Sequence, residues 1–126
     1  DESGVTPDLG VASIKVGDAF NAPSADGAAA VVANSPLVDG RGANDLAVNL
    51  DRTATGAGDY PLLMVSYAIA CSHYSDETTG TFVKAWLGYI VSADGQKTAA
   101  DAAGSAPLSG TLADKAAAAV DAITVG

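Results

Sequence analysis

The run Leu62-Leu63-Met64-Val65-Ser66-Tyr67-Ala68-Ile69-Ala70-Cys71 is nearly all apolar, and no other stretch of the chain constrains the fold as strongly. It is too short for a membrane span, which needs about 18 or more continuous apolar residues, and no other stretch reaches that length. A strand of this composition has no face suited to water. It reads as a strand covered on both faces, as in α/β sheets. Cys71 closes the run and reads as a buried, inert thiol. As the single cysteine, it has no intramolecular disulfide partner and leaves the redox compartment open.

On the N-terminal side of this run the punctuation is dense. Val11 to Val16 alternates loosely and meets Gly17-Asp18, a strong turn dipeptide, then Ala19-Phe20, which predicts a short hairpin. Ser24 is placed to cap a helix over Ala25 to Asn34 that buries Ala28, Val31 and Val32, and Ser35-Pro36 ends it. Asp39 to Asp45 is a loop by composition, Leu46 to Leu50 alternates as a short strand, and Thr53 to Asp59 is a second Gly-containing loop.

Helical periodicity dominates the other side. Asp76 can cap a helix from Glu77 to Val91, in which Phe82, Val83, Trp86, Leu87 and Ile90 recur at three- and four-residue spacing. That stripe predicts a core position for Trp86. Asp94 is expected to cap a shorter helix to Ala103, stopped by Gly104. Thr111 with Asp114 resembles a capping pair for a last helix to Ile123, with Leu112, Ala116, Ala119, Val120 and Ile123 on one face.

Charge removes whole classes of partner. The chain carries 6 Lys and Arg against 15 Asp and Glu, a net charge of −9. No basic cluster is present to neutralise phosphates or anionic lipid, which makes nucleic acid and anionic membrane surfaces poor partners. With 48% hydrophobic residues the chain is expected to fold. Much of that fraction is alanine and aromatic residues make up only 6%, so the expected core is thin. The opening Asp1-Glu2-Ser3-Gly4 has neither a basic region nor an apolar one, so it is not a secretory signal, and a start without an initiator Met suggests a processed, truncated or cleaved chain.

Few motifs carry chemistry. His73 lies among Ser72, Ser75 and Asp76, the residue types of a hydrolase triad. Residues so close in one loop do not converge with an oxyanion hole, so His73 is expected to face solvent. His73 and Cys71 do not complete a metal site, and Asp39 to Asp45 lacks the spaced acids and closing Glu of an EF-hand loop. Gly40-Arg41-Gly42 and Gly56-Ala57-Gly58 lack the phosphate-loop pattern. Ser109-Gly110-Thr111 is the one candidate of weight, since hydroxyls and amides at a helix N-terminus can hold an oxyanion, although an N-cap and turn explain the same residues. We assign no catalytic residue, no metal ligand and no cofactor.

Taken in order, these elements resemble the C-terminal portion of the phosphate-binding proteins that feed phosphate to an ABC importer. The family's Tyr-Pro before an apolar strand ending in Tyr-Ala-Ile is matched by Tyr60-Pro61 and Tyr67-Ala68-Ile69. Its "Val-Lys-Ala-Phe-Leu" helix is matched by Val83-Lys84-Ala85-Trp86-Leu87. Its Gly-Gln is matched by Gly95-Gln96, and its "Gly-Tyr-Ala-Pro-Leu-Pro" by Gly104-Ser105-Ala106-Pro107-Leu108-Ser109. Ala12-Ser13-Ile14-Lys15-Val16-Gly17 and Ala22-Pro23-Ser24 resemble the family's hairpin and helix entry. Ser105 and Ser109 depart from the pattern.

The resemblance implies a partial type II periplasmic-binding-protein-like α/β fold. Residues 1–59 would form a portion of the second lobe, 60–71 the strand crossing the hinge, and 72–126 the helical return to the first lobe. It also implies an extracellular or cell-surface location, with lipid anchoring through a preceding N-terminus. Phosphate would bind only in the complete protein, whose partner is an ABC permease. The family's binding residues, an early Ser/Thr loop, an Asp, and an Arg before Ser-Gly-Thr, lie upstream of this portion. Neither Arg41 nor Arg52 stands before such a loop, so those roles do not transfer to Ser109, Gly110 and Thr111. The chain is expected to act with the N-terminal half of the same protein or with another protein chain. The alternative is a free-standing cell-surface or assembly subunit that binds protein.

Overall fold

The computed structural model describes residues 4–126, and the reading of Asp1-Glu2-Ser3 lies outside the described residues. Helices and small two-stranded sheets alternate along the chain. The hairpin forms where Gly17-Asp18 predicts it. Strand β1 (Ile14–Val16) pairs antiparallel with β2 (Ala19–Asn21), with Ile14 opposite Asn21 and Val16 opposite Ala19. Gly17 turns the chain at φ 58°, and a positive φ at the first of two loop residues suits the right-handed twist of a hairpin.

Helix α1 (Ala25–Asn34) starts where the Ser24 side chain accepts a hydrogen bond from the Gly27 N–H at 3.0 Å, satisfying one of the free donors of the first turn. Its Val31 is buried, while Ala28 and Val32 are half-buried. The strand expected over Leu46 to Leu50 is reduced to a single antiparallel bridge between Leu37 and Val48, flanked by Val38 N–H to Ala47 O and Asn49 N–H to Pro36 O at 2.8 Å each. The alternation is present, but only the short Leu37 segment lies beside it.

Leu62 to Cys71 corrects the strongest expectation. Among the described residues this run joins no sheet, and Met64 and Ile69 are 92% and 97% exposed. Leu63 and Val65 alternate as half-buried with exposed Leu62 and Met64, so the start of the segment has a strand's two-residue period but no paired strand. Cys71 is exposed rather than buried for the same reason.

The C-terminal half is better packed. Strand β3 (His73–Tyr74) precedes α2 (Glu77–Val91), α3 (Ala93–Ala103), α4 (Gly110–Asp121) and β4 (Thr124–Val125). Asp76 caps α2 by accepting from the Thr79 N–H at 2.7 Å. Ser92, not Asp94, caps α3, because its hydroxyl reaches the Gly95 N–H at 3.1 Å. Gly104 ends α3 in the left-handed region at φ 63°, as expected. Helix α4 begins earlier than the Thr111 and Asp114 pair implied: Ser109 is the capping residue, without a side-chain bond, and both others lie inside the helix.

β4 pairs parallel with β3, placing Thr124 beside His73, a pairing hidden from the sequence by about fifty intervening residues. α2 packs on α4, α3 and this small sheet. The buried apolar residues are Val16, Val31, Leu87 and Ile123. On α4, the expected face Leu112, Ala116, Ala119 and Val120 is half-buried above Ile123. The expectation for Trp86 fails. At 3.6 residues per turn, Val83, Leu87 and Ile90 point one way and Phe82, Trp86 and Tyr89 another. The first set is buried or half-buried, and Trp86 is 54% exposed with Phe82 at 69%. The apolar stripe is wider than α3, α4 and the β3–β4 sheet can cover.

Candidate functional site

Ser109, Gly110 and Thr111 come together at the N-terminus of α4, on the rim of a cleft of about 390 Å³ shared with Val32, Ala33, Ser35, Pro36, Leu37, Val48 and Lys115. Gly110 takes φ 55° and Ser109 leaves its hydroxyl free of the cap, so the chain turns there without help from a side chain. All three residues are exposed. The electrostatics are divided. The positive pole of α4 and Lys115 favour an anion, whereas the last turn of α1 presents its negative pole to the same cleft. Most of the remaining wall is aliphatic. The cleft therefore gathers one cation and one helix end rather than a converging shell of donors, and water stays in competition for any oxyanion.

The other sequence candidates engage internal partners. His73 Nδ1 lies 3.0 Å from the Thr124 hydroxyl, which donates in turn to Ser72 O at 3.2 Å. Asp76 is occupied at Thr79, whose hydroxyl and then N–H hold its carboxyl below the ordinary carboxylate range. His73, Ser75 and Asp76 are thus not joined in a relay.

In the Asp39 to Asp45 loop, Arg41 bonds Asp45 through both Nε at 2.7 Å and Nη2 at 2.6 Å, and the Ala47 N–H adds a third contact at 3.1 Å. The guanidinium, and then the Ala47 amide, lowers the Asp45 carboxyl, and Arg41 is raised in return. Among the described residues, no three His, Cys, Asp or Glu side chains gather as metal ligands. In the second Gly loop, the Gly56 N–H donates to Asp59 Oδ2 at 2.9 Å. A carboxylate already stands where a phosphate would have to bind.

Four contacts escaped sequence reasoning. Arg52 donates to Pro61 O at 2.7 Å and Leu63 O at 3.1 Å. The Val48 N–H donates to the Tyr67 hydroxyl at 2.9 Å. Lys84 donates to Asp121 O and Ile123 O, tying the end of α4 to α2. Gln96 donates to Ile90 O and accepts from the Leu108 N–H, closing an apolar cleft of about 480 Å³ lined by Val91, Pro107 and Leu108. Of these, Tyr67, Lys84 and Gln96 stood in the quoted motifs, without their partners, and Arg52 carried no signal.

The dominant surface feature is apolar. Leu62, Met64 and Ile69 on the extended segment, with Phe82, Trp86 and Tyr89 on α2, are exposed. Exposed apolar side chains in such number mark surfaces suited to a partner. No helix among the described residues is long and apolar enough to cross a membrane.

Comparison with known proteins places part of this chain beside phosphate-binding proteins. "Phosphate-binding protein PstS2" of Mycobacterium bovis (strain BCG / Pasteur 1173P2) is 43% identical over 70 residues, covering 56% of this chain and 18% of the relative. "Phosphate-binding protein PstS 2" of Mycobacterium tuberculosis (strain ATCC 25618 / H37Rv) matches with the same identity and coverage. The chain thus has a partial relation to phosphate-binding proteins and spans under a fifth of the length of these relatives. No protein-family model matches it, and no solved structure does.

Proposed function

We propose that this chain is a C-terminal segment of an extracellular phosphate-binding protein that delivers its solute to an ABC importer, and that it acts with an N-terminal complement. The 43% identity to two phosphate-binding proteins carries the reading. The bare apolar run from Leu62 to Ile69 supports it, since a hinge-crossing strand would lose its cover when separated from the rest of a two-lobed protein. The lobe division at residues 59 and 71 and the partial periplasmic-binding-protein-like fold belong to the same proposal. So does the absence of a catalytic role: the segment contributes scaffold to a binding protein.

In this reading phosphate is held by groups outside the segment. Replacing phosphate's hydration requires several donors converging on one point. The α4 terminus offers the amides of one turn and Lys115, opposed by the α1 pole. Titration calorimetry of the isolated chain with phosphate at neutral pH is expected to show no binding tighter than millimolar. Micromolar binding would overturn the segment reading and move the site to Ser109, Gly110 and Thr111. The alternative, a free-standing subunit that binds protein, draws on the same exposed apolar faces. It would gain if the chain alone proved a stable monomer that takes up no hydrophobic dye.

A further inference from the structure

Three Asp-Gly pairs stand in the chain, Asp26-Gly27, Asp39-Gly40 and Asp94-Gly95. An aspartate before glycine can cyclise, because the next backbone nitrogen reaches the side-chain carboxyl and glycine has no Cβ to hinder the approach. All three aspartates are exposed, so access to the carboxyl does not separate them. The following amide does. Gly27 N–H donates to Ser24 Oγ at 3.0 Å and Gly95 N–H to Ser92 Oγ at 3.1 Å, each inside the first turn of a helix. Both glycines are buried, Gly27 beside Gly58 O and Gly95 against Tyr89 O. Gly40 is exposed in a turn, takes φ 75° and has open space where a Cβ would stand. Among the described residues its N–H has no hydrogen-bond partner.

We infer that Asp39-Gly40 is a site of spontaneous backbone isomerisation, at which the main chain is rerouted through the aspartate side chain. The Gly40 nitrogen attacks the carbon of the protonated Asp39 carboxyl. A C–N bond forms, the nitrogen loses its hydrogen and the carbon its hydroxyl, and one water leaves. Water then opens the resulting succinimide. Addition at the former side-chain carbonyl restores aspartate, and addition at the main-chain carbonyl gives isoaspartate, with a free α-carboxylate and one extra methylene in the chain. No oxidant or reductant is consumed, and the net charge is the same before and after. The step needs only this chain and water, so it does not depend on the proposed function.

The attacking nitrogen must rotate toward the carboxyl. In a capped first turn that rotation breaks the cap and crowds the neighbours of a buried glycine, whereas a surface turn with a free N–H moves without either cost. The consequence reaches the two anchors that flank the pair. On one side the Val38 N–H donates to Ala47 O at 2.8 Å, and on the other Arg41 is paired with Asp45. An extra methylene between them changes their spacing and loosens the bridge between Leu37 and Val48. Those two residues line the cleft that reaches Ser109 to Thr111, so the rearrangement alters the wall of the candidate anion site.

The test is ageing of the intact chain at neutral pH and body temperature, followed by peptide mapping with electron-transfer fragmentation, which tells isoaspartate from aspartate. Isoaspartate is expected to accumulate at Asp39 about tenfold or more faster than at Asp26 or Asp94. In urea, where the helix caps are lost, the three rates are expected to converge to within about threefold. In the isomerised fraction of the folded chain, the Val38 amide is expected to exchange with solvent about tenfold faster or more. Asp39→Glu keeps the charge but would have to close a larger ring, and it is expected to remove both signals. Equal rates at the three pairs in the folded chain, or a preference for Asp39 that persists in urea, would overturn the assignment. Unchanged exchange at Val38 would overturn the loosening of the bridge.

Discussion

Gly27 and Gly88 both sit inside helices, yet the same substitution should act on them in opposite directions. Removing a glycine from a helix interior gains about 0.5–1 kcal/mol through backbone entropy. At Gly88, in α2, a new Cβ meets nothing within 4 Å, so Gly88→Ala should stabilise by roughly that amount. At Gly27, in α1, a Cβ would collide with the backbone oxygen of Gly58, come within 2.8 Å of Ser24 Oγ and touch Tyr60 Cβ at 3.2 Å. The surrounding contacts resist adjustment, because Gly27 O accepts from the Tyr60 N–H at 3.1 Å and Gly27 N–H donates to the capping serine at 3.0 Å. Overpacking of this kind costs about 1–3 kcal/mol, and weakening the cap adds about 0.5–2 kcal/mol. Subtracting the helix gain leaves a net loss of about 0.5–4.5 kcal/mol for Gly27→Ala. Urea unfolding followed by far-UV circular dichroism reads both variants on one scale. Equal shifts of the two midpoints would refute the placement of Gly58 and Tyr60 against α1.

Trp86 should emit as a solvated indole and be quenched readily by iodide, and Trp86→Ala should change stability by about 0.5 kcal/mol or less rather than the 3–5 kcal/mol of a core aromatic; a blue-shifted, protected emission from the isolated chain would contradict its exposure. Asp45, Asp51 and Asp76 all have carboxyls lowered by hydrogen bonds, from Arg41, the Thr53 hydroxyl and the Thr79 hydroxyl respectively. Their contribution is present above the unfolded value of about 3.9 and is lost as pH falls through the lower folded values, so the thermal midpoint should drop on acidification in that window, with a shallower slope for Asp76→Asn. Finally, the chain alone should bind a hydrophobic dye and scatter light increasingly with concentration, and a monomer that does neither would show that its apolar faces need no partner.

Local features were legible because their causes are local. Ser24 and Asp76 cap helices through bonds to the third residue beyond, and Gly17 and Gly104 take the positive φ that their turns require. Each decision involves a handful of neighbouring residues, so the chain's order already contains it. At the start of α3 the sequence pointed to Asp94, and the Ser92 hydroxyl, two residues earlier, is the group that reaches the Gly95 N–H. At the candidate anion site, the sequence located a helix start at Ser109 to Thr111. It did not show that the negative pole of α1 and an aliphatic wall face it, because α1 lies some eighty residues earlier.

Composition and pattern by themselves determined that this is an acidic, alanine-rich chain of capped helices and one small hairpin, with an apolar run that demands cover. Which apolar groups find cover was decided only in three dimensions. On α2 the stripe offers both Leu87 and Trp86, and periodicity ranks them equally; α4, Ile123 and the Lys84 clasp lie on one side, so Leu87 is buried and Trp86 is not. Leu62 to Cys71 likewise has a strand's pattern, but a ladder needs a second strand. Among the described residues the backbone of the run meets only the Arg52 guanidinium at Leu63 and the Tyr74 hydroxyl at Cys71, and no second strand lies beside it. Burial is a property of pairs of surfaces, and a sequence specifies only one member of each pair.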